Sequence, residues 1–352
     1  MFLMKAKSLT TQFILSSKQT KTSYLKYKSV LALLPLCLVL GCSDATTPAG
    51  DQPASSANEA DTVNIQDEPS AASSKEEEVK GSRDCTPKVL TPEANGENVL
   101  GNEVASIDIS NTSKGYVVIT YLGSSPKVKL QITGPNQVTY TYNLTTTNAE
   151  VFPLSAGSGT YAIGVYENIE GTQYATSFYE ETAVTIEDEF LPFLYPNQYV
   201  NFNTDSETVA LASKLAYSAN SDLEVIDSVY NYIIENISYD EAKAADIASG
   251  YLCDVDSTLE TGSGICLDYA SLMTAMLRSQ GIPTQLEVGY AKDVYHAWIS
   301  TYVAEKGWIN GIIEFDGNSW SLMDPTFAAN SSEKSLKKFI GEGDNYTVKY
   351  IY

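Results

Sequence analysis

From about residue 86 to 188 the chain alternates hydrophobic and polar positions with a period of two. Gly115–Tyr121, Val128–Ile132, Val138–Tyr142, Tyr161–Val165 and Thr182–Ile186 each read as a strand with one buried and one solvated face. Gly134-Pro135-Asn136-Gln137 supplies turn residues between two of them. Short strands at this spacing, with almost no helical period between them, predict a small antiparallel β-sandwich over 86–188. Tyrosines recur on these strands as strand propensity favours. A contact surface for glycan or protein is the other reading of the same rings.

After Leu191-Pro192-Phe193-Leu194-Tyr195-Pro196 the period lengthens. Residues 206–218 read as a helix. A second begins at a capping box, Ser221 with Glu224, and carries Val225, Ile226, Val229, Tyr232 and Ile233 at helical spacing. A third is predicted from Cys266 through Tyr269, Ala270, Met273, Met276 and Leu277, ended by Gln280-Gly281 and barred from continuing by Pro283. Strands then return over 285–291, 294–303, 308–315 and 319–323. Helices followed by an antiparallel sheet predict an α+β domain over 195–352.

The termini carry different signals. Residues 1–41 hold six of the 22 Lys and Arg and none of the 44 Asp and Glu, followed by an apolar stretch over Val30–Leu40. That stretch is short for a membrane span, which needs about 20 residues, and reads as a secretory signal. It ends in Val39-Leu40-Gly41-Cys42, which resembles a bacterial lipobox. The resemblance implies cleavage before Cys42 and lipidation of its sulfur; an uncleaved anchor is the competing reading. Either places the remainder outside the cytoplasmic membrane. Residues 42–84 are rich in Ala, Ser, Thr, Pro, Asp and Glu and lack aromatics, as a disordered acidic linker does. The formal net charge is −22, and more acidic still beyond residue 41, which disfavours nucleic acid as a partner.

The chemistry centres on the single histidine, His296. It stands 30 residues after Cys266 and 28 before Asp324. A thiol nucleophile needs a base, and the base needs an orienting group. Gly262 and Gly264 precede the helix that carries Cys266, so the sulfur sits at a helix N-terminus, where unpaired N–H groups favour a thiolate and offer oxyanion donors. Cys266 also begins an inward stripe with Tyr269, Met273 and Met276, so the helix alone fits a core cysteine equally well. On a strand, His296 and Trp298 share one face and Tyr295 and Ala297 the other. Asp324 ends the last strand of the run and is a better orienter than Glu314 or Asp316, which flank an expected turn. Trp298, Trp308 and Trp320 fit a cleft lining and a core equally. Cys85 and Cys253 remain, as a disulfide pair or as two free thiols. No CxxC or His cluster is present, so neither a metal nor a disulfide-exchange site is expected.

Gly264-Ile265-Cys266-Leu267-Asp268-Tyr269-Ala270, His296-Ala297-Trp298 and Leu322-Met323-Asp324-Pro325-Thr326-Phe327, in that order, resemble the bacterial transglutaminase-like superfamily. The resemblance spans about residues 200–330. It implies a papain-like α+β core with Cys266 as nucleophile, His296 as general base and acid, and Asp324 as orienter. It further implies an upstream aromatic or amide side chain near the oxyanion hole, for which Tyr239 is the candidate, and packing roles for Asp268-Tyr269 and residues 278–283. No cofactor is implied.

The expected function is thiol-dependent acyl transfer on peptide or protein amides, by hydrolysis, deamidation or transamidation. The expected setting is a lipoprotein at the outer face of a bacterial membrane, with cell-wall peptides among the substrates. The alternative is a catalytically silent binding or adhesion module that keeps the fold. A complete set of nucleophile, base and orienter favours the enzyme.

Overall fold

The structure is a computed structural model that describes residues 78–144, 148–291, 293–304, 306–310, 312–315, 320–323 and 346–352. The signal, Cys42, most of the linker and Asp324 lie outside the described residues, as do the side chains of residues 310–323. Eight strands come first: β1 Val99–Gly101, β2 Ala105–Asp108, β3 Tyr116–Tyr121, β4 Val128–Thr133, β5 Thr139–Leu144, β6 Glu150–Pro153, β7 Gly159–Glu170 and β8 Gln173–Val184. They form two antiparallel sheets in the orders β1-β2-β3-β6 and β5-β4-β7-β8. The alternation does what was expected of it. On β4, Val128, Leu130 and Ile132 are buried while Lys129, Gln131 and Thr133 are only partly so. The predicted turn closes with Gln137 N–H donating to the Gly134 carbonyl at 2.9 Å and Gln137 at φ 63°. Tyr142 on β5 meets Phe152 on β6 edge to face at 4.8 Å, joining the two sheets through one core.

The last hairpin differs from expectation. β7 and β8 run 12 residues each, where the pattern marked only five. Their distal halves extend past the core, with Ile169 exposed, so no hydrophobic alternation reports them.

The second half contains α1 Glu207–Leu215, α2 Asp222–Asn236, β9 Ser238–Tyr239, α3 Glu241–Ala245, α4 Val255–Thr261, β10 Ser263–Gly264 and α5 Cys266–Ser279. At the start of α2, Ser221 Oγ accepts from Glu224 N–H at 3.3 Å, and the Glu224 carboxylate accepts from Asn220 N–H at 2.8 Å. The reciprocal bond of the expected box thus falls one residue earlier. Helices α3 and α4 escaped the period analysis because they are one or two turns long. Their caps were nonetheless in the sequence: Asp240 and Asp254 accept from Lys243 and Ser257 N–H, and Gly262 closes α4 at φ 59°.

Helix α5 is the centre of the fold. It packs against α1, α2 and α4 on one side and against β11 Thr284–Ala291 and β12 Val294–Val303 on the other. Every residue from Asp268 to Ser279 is buried, including Ser271, Thr274 and Arg278. The expected single inward stripe is therefore wrong in kind, because layers cover the helix on all sides. Arg278 donates to the main-chain oxygens of Thr284, Tyr195 and Tyr352 at 2.9, 2.7 and 2.7 Å. Those bonds offset the cost of burying a charge and tie the segment before α1, the sheet and the residue after β16 to α5.

The sheet continues with β13 Gly307–Asn310; β14 Ile312–Phe315 and β15 Trp320–Met323 form a separate antiparallel pair, and β16 Tyr346–Ile351 follows. The predicted strand over 308–315 is thus divided between two sheets. The main order is β13-β12-β11-β16, antiparallel throughout, so the last strand returns beside β11. The result is an α+β fold with a β-rich region before a helix-and-sheet core.

Candidate active site

Cys266 is set by the segment in front of it. β9 and β10 pair in parallel, Ser238 with Ser263 and Tyr239 with Gly264. Asp240 N–H reaches the Gly264 carbonyl at 2.9 Å. This short bridge brings Tyr239 across from the residue two before Cys266. Gly264 is required there, because a Cβ would lie 2.6 Å from Asp268 Cβ. Asp268 fills that space. Its carboxylate accepts from Ile265 N–H at 2.8 Å, Lys243 Nζ at 2.6 Å and the Tyr251 hydroxyl at 2.6 Å. It therefore caps α5 and also fixes the loop between α3 and α4. The family resemblance implied a packing role for Asp268; its hold on that loop was not legible.

His296 lies on β12 opposite Gly289 of β11. It is buried, and its ring stacks on Trp298 at 6.2 Å and 21°, as residues on one strand face can. Tyr295 on the other face is 56 % exposed, while Ala297 is buried in the core. Cys266 is half-buried, and it lines a cavity of about 520 Å³ together with His296 and Tyr239. Two of the four predicted active-site elements, nucleophile and base, thus share one cavity with the candidate oxyanion residue. Asp324, the fourth, lies outside the described residues. Burial, then the charge of the Cys266 sulfur, pushes the Tyr239 hydroxyl above the usual tyrosine range. The same two influences, with neighbouring tyrosines between them in size, raise Tyr295.

Other expectations divide. Cys85 and Cys253 do not pair; both are free thiols. The Cys253 sulfur lies buried against Thr258 Oγ1 at 3.6 Å, whereas Cys85 is held beside α1 by Ser213 Oγ donating to its carbonyl at 2.9 Å. Trp298 packs beside the histidine and against Tyr346 at 5.0 Å. Trp308 sits among Phe190, Phe193 and Tyr302 and does not line the cavity. The cavity lining also includes Tyr199, Tyr251 and Tyr352, tyrosines that the sequence did not single out. They come from the segment before α1, the α3–α4 loop and the residue after β16, and nothing local marks them.

Residues 209–312 match the family model described as the transglutaminase-like superfamily. Among curated proteins, the uncharacterized protein YebA of Bacillus subtilis (strain 168) is 28% identical over 118 residues. That region is 28% of this chain and 16% of YebA, so the chain matches a small part of that relative's length. Among solved structures, the periplasmic domain of TgpA from Pseudomonas aeruginosa is 15% identical with a TM-score of 0.31, covering 68% of this chain and 97% of that one. Red sea bream transglutaminase is 12% identical with a TM-score of 0.27, covering 60% and 48%. Cys266 leads a buried helix and His296 lies on the adjoining sheet, both within the stretch 209–312 that matches the transglutaminase-like superfamily model and follows a β-rich region.

Proposed function

We propose that this chain is a thiol-dependent acyltransferase or hydrolase acting on peptide or protein amides, with Cys266 as nucleophile and His296 as base. The observation that carries the reading is their shared cavity, with the sulfur on the first residue of α5. His296 accepts the thiol proton as Sγ attacks the amide carbonyl carbon, and the carbonyl electron pair moves to oxygen. N–H groups at the start of α5 and the Tyr239 hydroxyl are the donors available to that oxygen. Collapse of the intermediate breaks the C–N bond. The leaving amine takes the proton from His296, and a thioester remains. Water or a second amine then attacks the thioester, giving its proton to His296, which returns it to the sulfur. Asp324 orients the imidazole in this scheme.

The lipobox at Cys42 supports an extracytoplasmic, membrane-anchored setting, where cell-wall or surface peptides are accessible substrates. The test is incubation of the full chain with glutamine-containing peptides, with and without an added primary amine, reading ammonia release and product mass. Turnover lost in both Cys266→Ala and His296→Ala is the expected result. Turnover that survives either change would sink the assignment of Cys266 and His296, and none in the unaltered chain across the peptide set would favour a silent binding module.

A further inference from the structure

Five tyrosines contribute to the walls of the cavity: Tyr199, Tyr239, Tyr251, Tyr295 and Tyr352. These rings are held in place from behind. Tyr199 and Tyr352 lie 4.3 Å apart. Tyr142 of β5 backs both, at 6.0 and 5.9 Å, and Tyr140 meets Tyr352 at 5.6 Å. Tyr295 rests edge-on against Tyr290 at 5.5 Å. Tyr251 is fixed by its bond to Asp268 and lies under Lys243 Nζ at 4.5 Å. The β-rich region is thus part of the wall's support, because β5 supplies two of the rings behind it. A surface arranged before the ligand arrives loses little side-chain entropy on binding.

Among the described residues that line the cavity, none is Asp, Glu, Lys or Arg, in a chain whose net charge is −22. All five tyrosines have hydroxyls raised above the usual range, mainly by burial, so these phenols carry no charge at neutral pH. Among the described residues, the cavity's polar side chains are phenol hydroxyls, Ser249 and the two reacting residues. A sugar would ask for charged or amide side chains to pair its many hydroxyls. An aromatic side chain needs ring faces and edges, and its flanking peptide groups can use the hydroxyls. The volume, about 520 Å³, falls within the range that encloses a small ligand.

We infer that the cavity recognises an uncharged acyl donor whose amide adjoins an aromatic or large apolar side chain, seated among Tyr199, Tyr251, Tyr295 and Tyr352. This rests on the reading of Cys266 as nucleophile and names the chemical class of its substrate.

The experiment measures alkylation of Cys266 in the full chain by three haloacetamides: iodoacetamide, its N-phenethyl derivative, and a phenethyl derivative bearing a carboxylate. Mass mapping separates Cys266 from Cys85, which serves as the internal reference. The neutral aryl reagent is expected to react about tenfold faster than iodoacetamide at Cys266, with saturation, and at unchanged relative rate at Cys85. The carboxylate should remove most of that gain. Tyr295→Ala should collapse the ratio; Tyr295 is 56 % exposed, so the change removes a recognition surface and not core packing. In the unaltered chain, N-acetyl-phenylalaninamide should protect Cys266 against iodoacetamide. A ratio near one at Cys266, or protection by chitotriose in place of the aryl amide, overturns the inference and leaves the nucleophile reading standing. A Cys266 rate indifferent to His296→Ala overturns the nucleophile reading instead, and aryl selectivity retained there would still support an aromatic binding cavity.

Discussion

The Tyr251 hydroxyl donates to the Asp268 carboxylate at 2.6 Å, joining the loop before α4 to the second residue beyond Cys266 on α5. The same carboxylate also accepts from Lys243 and from Ile265 N–H, so it is fully engaged while fully buried. Removing it strands three donors at once.

Asp268→Ala is therefore expected to destabilise the fold by about 2–4 kcal/mol, and Tyr251→Phe by about 1 kcal/mol. The double variant should cost less than the sum, because the two changes share a bond. Urea unfolding of the four proteins gives the cycle. Additive costs would mean that the bond is energetically idle.

Tyr239 faces Gly264 across the β9–β10 bridge and lines the cavity with Cys266. If its hydroxyl stabilises the developing oxyanion, Tyr239→Phe should lower kcat on an amide or ester substrate by about 10²-fold while KM changes little. A raised KM with unchanged kcat would assign Tyr239 to substrate binding instead.

Glu287 is buried on β11 and accepts from Ser300 Oγ at 2.7 Å. Burial raises its pKa above 4.5 despite the bonds from Ser300 and Trp298. Between the unfolded value and that raised value, the native state holds more protons than the unfolded state. Stability contributed by the protonated form is complete below about pH 4.5 and declines as pH rises through the folded value. Glu287→Gln should flatten this slope. Thermal midpoints across mildly acid to neutral pH measure it, and parallel curves for the two proteins would refute the assignment.

The Cys253 thiol is buried, and burial followed by the nearby Asp268 charge pushes its pKa up to about 12. It should resist iodoacetamide in the native protein from about pH 6 to 9 and react only after unfolding. Cys266, half-buried on the cavity wall, should label under the same conditions. Equal labelling of the two would show that the segment around Cys253 opens locally.

Local pattern was enough for most of the scaffold, and for the order of the chemistry. Period two marked β3, β4 and β5, helical spacing marked α2, and Cys266 and His296 were identified with their flanking residues before any geometry was known. Each of these signals is carried within a few neighbouring residues, because side-chain direction repeats every turn or every second residue. Tertiary structure decided the rest. It buried α5 on all sides, which no single-helix pattern predicts, and it left Cys85 and Cys253 unpaired. It also brought Tyr199, Tyr251 and Tyr352 around one cavity and set Tyr142, from a strand far earlier in the chain, behind two of them. Those rings meet through sheet order and helix packing, which depend on contacts distant in the chain and leave no period for a sequence to display.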